Sequence, residues 1–463
     1  MAEPVSATGP VAAWRRAGAV PSHRMVIARR ALVGIVVARI AVNGGIRVVY
    51  PFVALIAAGL GMSVQGLALL VASRALAGLA GPAVARMVSP ARRRTLMMTS
   101  QVLVAAGCLT IVAAGSAPVT VRAILVGTGF IATGLARPLF DLPMQTWIRA
   151  HVPVTARGRV LGVTETGWAL SLALTVPAAG VLIERTDWRS VFLLVVAVAV
   201  AGAIALLLTV PRDGPDGASP DLVGPERPTP RPRTRRVRTN VAVGVGAALA
   251  VAGAESLLMV HGTWLTRDLG MTVSQVGAST MFIVGAELLG EGLVITLADR
   301  VGLERTLFRA LVVSAAVYGG LGLVGDDVGL ALAATGVVFV TFEVSIVVLI
   351  ALATVTTDER AGLLGTLMAA MACGNAMGAA AGPLLFARGG IALSGVVSAV
   401  AAATAIVVLW RAGAARCRVV RQLGQHSATT TPTPGRSSVA AATCAMAAAS
   451  SSLRSPPTAC GAP

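Results

Sequence analysis

The chain has 463 residues, of which 56% are hydrophobic and only 13% charged, and its mean hydropathy is +0.81. A soluble globular chain carries about 25% charged residues, so this apolar excess excludes a water-facing domain and leaves an integral membrane protein. The net charge of +18 comes from 38 basic residues, all arginine, that lie between apolar runs rather than in a folded basic domain. That distribution argues for a lipid-bilayer partner and against nucleic acid.

Spanning the hydrocarbon core as a helix takes about 20 apolar residues. The N-terminal segment, residues 1–30, holds Arg15, Arg16, Arg24, Arg29 and Arg30 and feeds directly into the first apolar run, which reads as a retained helix rather than a cleaved leader. Twelve spans are predicted: 31–53, 64–85, 95–115, 120–146, 160–183, 190–210, 241–264, 272–296, 305–324, 328–354, 362–386 and 390–410. Between the sixth and seventh, residues 211–240 are rich in Pro and Arg and read as a cytoplasmic linker. The linker divides the chain into bundles of six, 31–210 and 241–410, and residues 411–463, rich in Ala, Ser, Thr and Pro, are expected to be a disordered tail.

Arginine sets the orientation. One alternating set of connections holds Arg86, Arg92–Arg94, Arg149, Arg157, Arg159, the seven Arg from Arg212 to Arg238, Arg300, Arg305, Arg309, Arg360 and Arg411–Arg421. The opposite set holds only Arg185, Arg189, Arg267 and Arg388, against Asp187, Asp268, Asp326 and Asp327. The rich set, with both termini, is therefore expected in the cytoplasm, in a multi-pass protein of the plasma membrane. Trp147 and Trp410 fall at expected inner boundaries and Trp188 and Trp264 at outer ones, as an interfacial aromatic belt would place them. Trp168, inside a span, reads as packing. The five cysteines show no metal-ligand spacing, and neither a metal nor a cofactor is expected.

The halves echo each other. Arg157–Gly162, "RGRVLG", opens the fifth span, and Arg360–Gly365, "RAGLLG", opens the eleventh. The segment "LADRVGLER", Leu297 to Arg305, places Asp299, Arg300 and Gly302 between spans eight and nine, and "GPAVARMVSPARRR" lies between spans two and three with Ala85 where an acid would stand. With twelve spans divided six and six, these motifs resemble the major facilitator superfamily, over nearly all of residues 30–410. The resemblance implies an all-α membrane fold of two pseudo-symmetric six-helix bundles, with spans one, four, seven and ten lining a central cavity. It also implies that the D-R-x-G loop clips the cytoplasmic side shut. By pseudo-symmetry Asp299 would then meet the start of span five near Arg157 and Arg159, with a weaker clip near Arg360. A plain helix end with solvated charges is the competing reading of that loop.

A charge at mid-bilayer costs at least about 2.5–3.5 kcal/mol, so ionisable groups inside spans face protein or water and are functional candidates. Arg39, Asn43, Arg74, Glu255, Glu287 and Glu343 are expected near the midplane, Arg137, Asp141, Glu165 and Glu291 nearer the cytoplasm, and Arg47, Arg122 and His261 nearer the outside. Arg39, Asn43 and Arg47, at i, i+4 and i+8, form one polar stripe. Glu287 and Glu291 share a face, and Arg137 and Asp141 can pair along span four; the resemblance implies that spans five and eight meet, so that Glu165 can approach Glu291 and share a proton with it. Glu343, nearly alone in its span, is the first candidate for a proton carrier, followed by Glu255 and Glu287. The alternative is a structural pair, for example Glu287 with Arg39 or Arg74. His261 reads as an interfacial histidine. Gly374, Gly378 and Gly382 make a small-residue ladder, which the resemblance implies faces span two, where Gly78 and Gly81 lie.

No nucleotide-binding loop, catalytic triad or cofactor fingerprint is present in the sequence, so an enzyme is not expected. The reading favoured is a secondary active transporter, a monomer that exports a small organic solute in exchange for protons. The alternatives are proton-coupled uptake of an organic anion, favoured by Arg39, Arg47 and Arg74, and a non-transporting membrane sensor or scaffold.

Overall fold

The structure is a computed structural model that describes residues 22–152, 154–212, 233–355 and 360–427. Among these residues, 11 helices are long and apolar enough to cross a membrane. We label ten of them α1 (Arg30–Gly59), α2 (Val64–Met87), α3 (Pro90–Ala114), α4 (Val119–His151), α5 (Val160–Arg185), α6 (Arg189–Thr209), α7 (Asn240–Arg267), α8 (Val273–Thr296), α9 (Leu303–Leu323) and α10 (Val328–Ala353). The eleventh, Gly365–Ala412, is two spans in one. Gly390 (φ 61°, ψ −157°) breaks it after Gly389, a backbone that needs glycine, and the arms before and after are α11 and α12. The fold is therefore all-α, with twelve membrane helices in two bundles of six.

Short polar motifs set several helix starts. Ser63 Oγ accepts the Gly66 N–H at 3.0 Å to cap α2. Asp187 accepts both the backbone N–H and the guanidinium of Arg189 at the start of α6. Thr272 and Gln275 bond reciprocally before α8, a capping box. Gly302, with φ 90°, turns the chain between α8 and α9, which gives the glycine of the D-R-x-G motif a backbone reason. Large apolar side chains such as Leu208, Val119 and Ile295 point outward, as the lipid-facing surface of a membrane bundle requires.

Some helices overrun their predicted ends. The helix leading into α1 starts at Ser22, the one leading into α7 at Arg233, and α12 continues helically to Ser427, into the segment predicted to be a disordered tail. The rest of the N-terminal segment, linker and tail lies outside the described residues. The tryptophan belt is also corrected. Trp147, Trp188 and Trp264 are buried in protein and only Trp410 of the four is exposed. His261 is likewise buried rather than interfacial.

The bundles meet at one end. At the Arg-poor end, the backbone of Pro51 on α1 lies where a Cβ on Gly262 of α7 would fall. Gly180 on α5 and Gly277 on α8 are in mutual backbone contact, and Gln65 on α2 donates to the Ala380 carbonyl on α11 at 2.8 Å. The first bundle's core runs without a break into Met259, Ile283, Phe339 and Ala379 of the second. At the Arg-rich end, by contrast, the second bundle has a core of its own around Leu307, Leu349 and Leu409. There, added Cβ atoms at Gly162 on α5 and Gly292 on α8 would meet nothing within 4 Å. The molecule is closed at the Arg-poor end and open at the Arg-rich end.

The glycine ladder faces a different helix from the one predicted. A Cβ on Gly378 would lie 2.5 Å from the Ala252 carbonyl oxygen and 2.6 Å from Glu255 Cβ, both on α7, and Gly374 and Gly382 also face α7. α2 also packs against α11, with Gln65 as one contact, but a Cβ added at Gly78 or Gly81 would meet nothing within 4 Å. Gly378→Val is expected to destabilise by about 1–3 kcal/mol, because backbone cannot yield as a side-chain tip can. A wild-type melting temperature for the purified variant would contradict this packing.

Candidate functional site

Where the bundles part, the polar stripe of α1 meets carboxylates from both sides. Arg39 Nη1 and Nη2 donate to Glu165 Oε1 and Oε2 at 3.0 and 2.8 Å, and its Nε lies 3.9 Å from Asp141. Asp141 also pairs with Arg137 at 3.6 Å along α4. Two turns above Arg39, Arg47 binds Glu287 of α8 with both guanidinium nitrogens, Nη1 at 3.0 Å from Oε2 and Nη2 on Oε1. Arg47 and Glu287 are each 4% exposed. The structural pairing foreseen for Glu287 therefore exists with a different partner, Arg47 rather than Arg39 or Arg74. Asn43, between the two arginines, is buried with an unpartnered Nδ2.

Three aromatic side chains that the sequence did not single out as functional complete the site. Trp168 on α5, read as packing, has the Arg47 guanidinium 4.3 Å and the Arg137 guanidinium 4.9 Å from its ring centroid. Tyr50, three residues beyond Arg47, donates its hydroxyl to Glu255 Oε1 of α7 at 2.6 Å. Arg74, 4% exposed, lies over the rings of Tyr50 and Phe130 at 5.2 and 5.6 Å, and its Nη1 has no partner. Tyr50 was legible as a continuation of the polar stripe, being one of only two tyrosines and one turn past Arg47.

Glu291 and Glu343 are half-buried and have no ion pair among the described residues. Gly290 lets α8 and α10 approach, since a Cβ there would lie 2.8 Å from Glu343 Cβ. This brings Glu343 to Glu287 and Glu291, with Glu165 near enough to act on Glu291 and Glu343. Glu165, with a side chain 51% exposed, and Arg137, at 46%, look toward the Arg-rich opening. Against Arg39, Arg47 and Arg137 the cluster sets Asp141, Glu165, Glu287, Glu291 and Glu343. A cation or protons would balance it.

Only part of the predicted clip falls within the described residues. Arg157 donates to the Val152 and Arg149 carbonyls of its own bundle at 3.0 and 2.8 Å, and Arg300 is exposed. The side chains of Asp299, Arg159 and Arg360 lie outside the described residues. His261 has neither ring nitrogen hydrogen-bonded, and Arg122 is held by the Leu60 and Ala117 carbonyls.

Residues 35–359 match the family model of the Major Facilitator Superfamily. The chain belongs to the major facilitator superfamily. A curated relative, the "Uncharacterized MFS-type transporter YceJ" of Bacillus subtilis (strain 168), is 24% identical over 180 residues, 38% of this chain and 44% of that protein. The chain thus matches less than half the length of that relative. Among solved structures, the D-xylose-proton symporter superposes with a TM-score of 0.65 at 16% identity, over 83% of this chain and 96% of that one. A bacterial homologue of the human lysosomal transporter Spinster, inward-facing and occupied, gives 0.58 at 15% identity over 86% and 96%. The human organic anion transporter MFSD10 (TETRAN) gives 0.55 at 15% identity over 82% and 99%. At these identities the superpositions establish the shared fold.

Proposed function

We propose that the protein is a secondary active transporter of the plasma membrane that exports a small organic cation in exchange for protons. The observation that carries this reading is the pairing pattern. Arg39 and Arg47 are each engaged by carboxylates, whereas the half-buried Glu291 and Glu343 have no basic partner among the described residues. A membrane-embedded carboxyl without a counter-ion is a site for a proton or a cation. Family membership supports a transporter working by alternating access, with repeats that rock about a central site. With the Arg-rich end taken as cytoplasmic, with both termini on that side, the state described is inward-facing. In it, a cytosolic solute reaches Glu291, Glu343 and the indole of Trp168, a surface suited to a flat or amphipathic cation.

One observation favours the rival, proton-coupled uptake of an organic anion. Arg74 is buried, has no ion pair among the described residues and keeps Nη1 without a hydrogen bond. It lies on the closed side of the site, against Tyr50 and Phe130, and the neighbours that include a symporter and an organic anion transporter share its fold. Thermal unfolding of the purified protein against separate pools of organic cations and organic anions separates the readings. A ligand at 100 times its dissociation constant stabilises by about 2.7 kcal/mol. Cations are expected to raise the melting temperature of wild type but not of Glu291→Gln/Glu343→Gln. Stabilisation by anions that is lost in Arg74→Ala would establish the rival.

A further inference from the structure

Two side chains of α1, three residues apart, cross between the bundles: Arg47 to Glu287 on α8 and Tyr50 to Glu255 on α7. The other ion pairs of the site, Arg39–Glu165, Arg39–Asp141 and Arg137–Asp141, lie within the first bundle. Any motion that opens the Arg-poor end must therefore part Arg47 from Glu287. The two are not left in equivalent surroundings. Arg47 keeps the face of Trp168, which belongs to its own bundle. Glu287 is left, among the described residues, beside acids: Glu291 one turn along α8 and Glu343 on α10, while Glu255 on α7 loses Tyr50 in the same motion. A buried carboxylate stripped of its one cation and surrounded by carboxyls is neutralised by a proton.

We propose that Arg47 is a tethered cation that competes with a proton for Glu287, so that proton binding there and separation of the bundles at the Arg-poor end are one event. The inference rests on the alternating-access reading above and assigns its coupling site. On opening, the N–H···O bonds from Arg47 break and an O–H bond forms on Glu287, with the proton drawn from water at the Arg-poor face. On closing, Arg47 returns to both carboxylate oxygens, the O–H bond breaks, and the proton passes to Glu291, half-buried and nearer the Arg-rich opening, and from there to water. Arg47 stays protonated throughout. One proton crosses from the Arg-poor to the Arg-rich side per cycle, and in this structure both oxygens of Glu287 are already taken.

The test is a distance measurement on the full-length protein in lipid nanodiscs without solute. Its five native cysteines are replaced by serine, and spin labels are placed at Ser116 and Asp326, exposed connections on the Arg-poor side of each bundle. The long-distance population is expected to rise as pH falls, by up to about tenfold per pH unit, the limit for one proton. Glu287→Gln should hold the long distance at every pH. Arg47→Gln, which leaves the carboxyl in place, should shift the population the same way, and it decides the matter if Glu287→Gln does not fold. A wild-type pH response in Glu287→Gln, or an unshifted population in Arg47→Gln, would overturn the proposal. Failure of the transporter reading is seen separately, as vesicles that move no solute while the labels still respond to pH.

Discussion

Glu343→Gln is expected to lower proton-gradient-driven solute movement in sealed vesicles by about 5- to 150-fold, the range of a coupling free energy of 1–3 kcal/mol. The melting temperature should stay at the wild-type value. The reasoning separates function from stability. Glu343 makes no ion pair among the described residues, and glutamine has the same shape, so nothing that holds α8 against α10 at Gly290 is removed. What disappears is a group that changes charge. Movement of solute down its own gradient should survive, because the cavity keeps its form. Equal loss of driven and passive movement would leave Glu343 a solute contact alone, with no part in coupling.

The second large effect concerns the closed end. Gly262→Leu places a Cβ on the Pro51 carbonyl, where backbone meets backbone between α7 and α1. Neither side can give way by a rotamer change, so the closed state pays an overpacking penalty of about 1–3 kcal/mol, a population shift of roughly 5- to 150-fold. The bundles should part at the Arg-poor end with each bundle intact. Gln65→Cys, whose parent side chain bonds across the same seam to Ala380, is expected to be shielded from an impermeant maleimide in the wild-type background and labelled in the Gly262→Leu background. Continued shielding would mean that α1 and α7 do not seal this end.

Much of the architecture is legible in the sequence for simple reasons. Apolar runs near 20 residues have no stable place except a bilayer, and arginine asymmetry orders the connections. The stripe Arg39, Asn43 and Arg47 follows from helical periodicity, as does the Arg137–Asp141 pair. What local pattern does not carry is the choice of partner. Glu287 and Arg47 are 240 residues apart, and which arginine meets which acid depends on how two bundles dock and in which state. The glycines of α11 announce close approach but not that α7 is the helix approached. Aromatic rings mislead in the same way. Trp147, Trp188 and Trp264 read as an interfacial belt because belt and core use the same residue, and Trp168 reads as packing until two guanidiniums are seen on its faces. The clip at Asp299 turns on a side chain outside the described residues, so of that motif only the glycine is explained here.

The most direct measurement of the central claim is proton movement in proteoliposomes that enclose a pH-sensitive dye, with organic cations and organic anions offered in turn. The account predicts that a transported cation drives a lumenal pH change opposite in direction to its own flux, and that Glu291→Gln/Glu343→Gln abolishes that change. Co-directional movement of protons with an anion, abolished by Arg74→Ala and untouched by the paired acid substitutions, would contradict it.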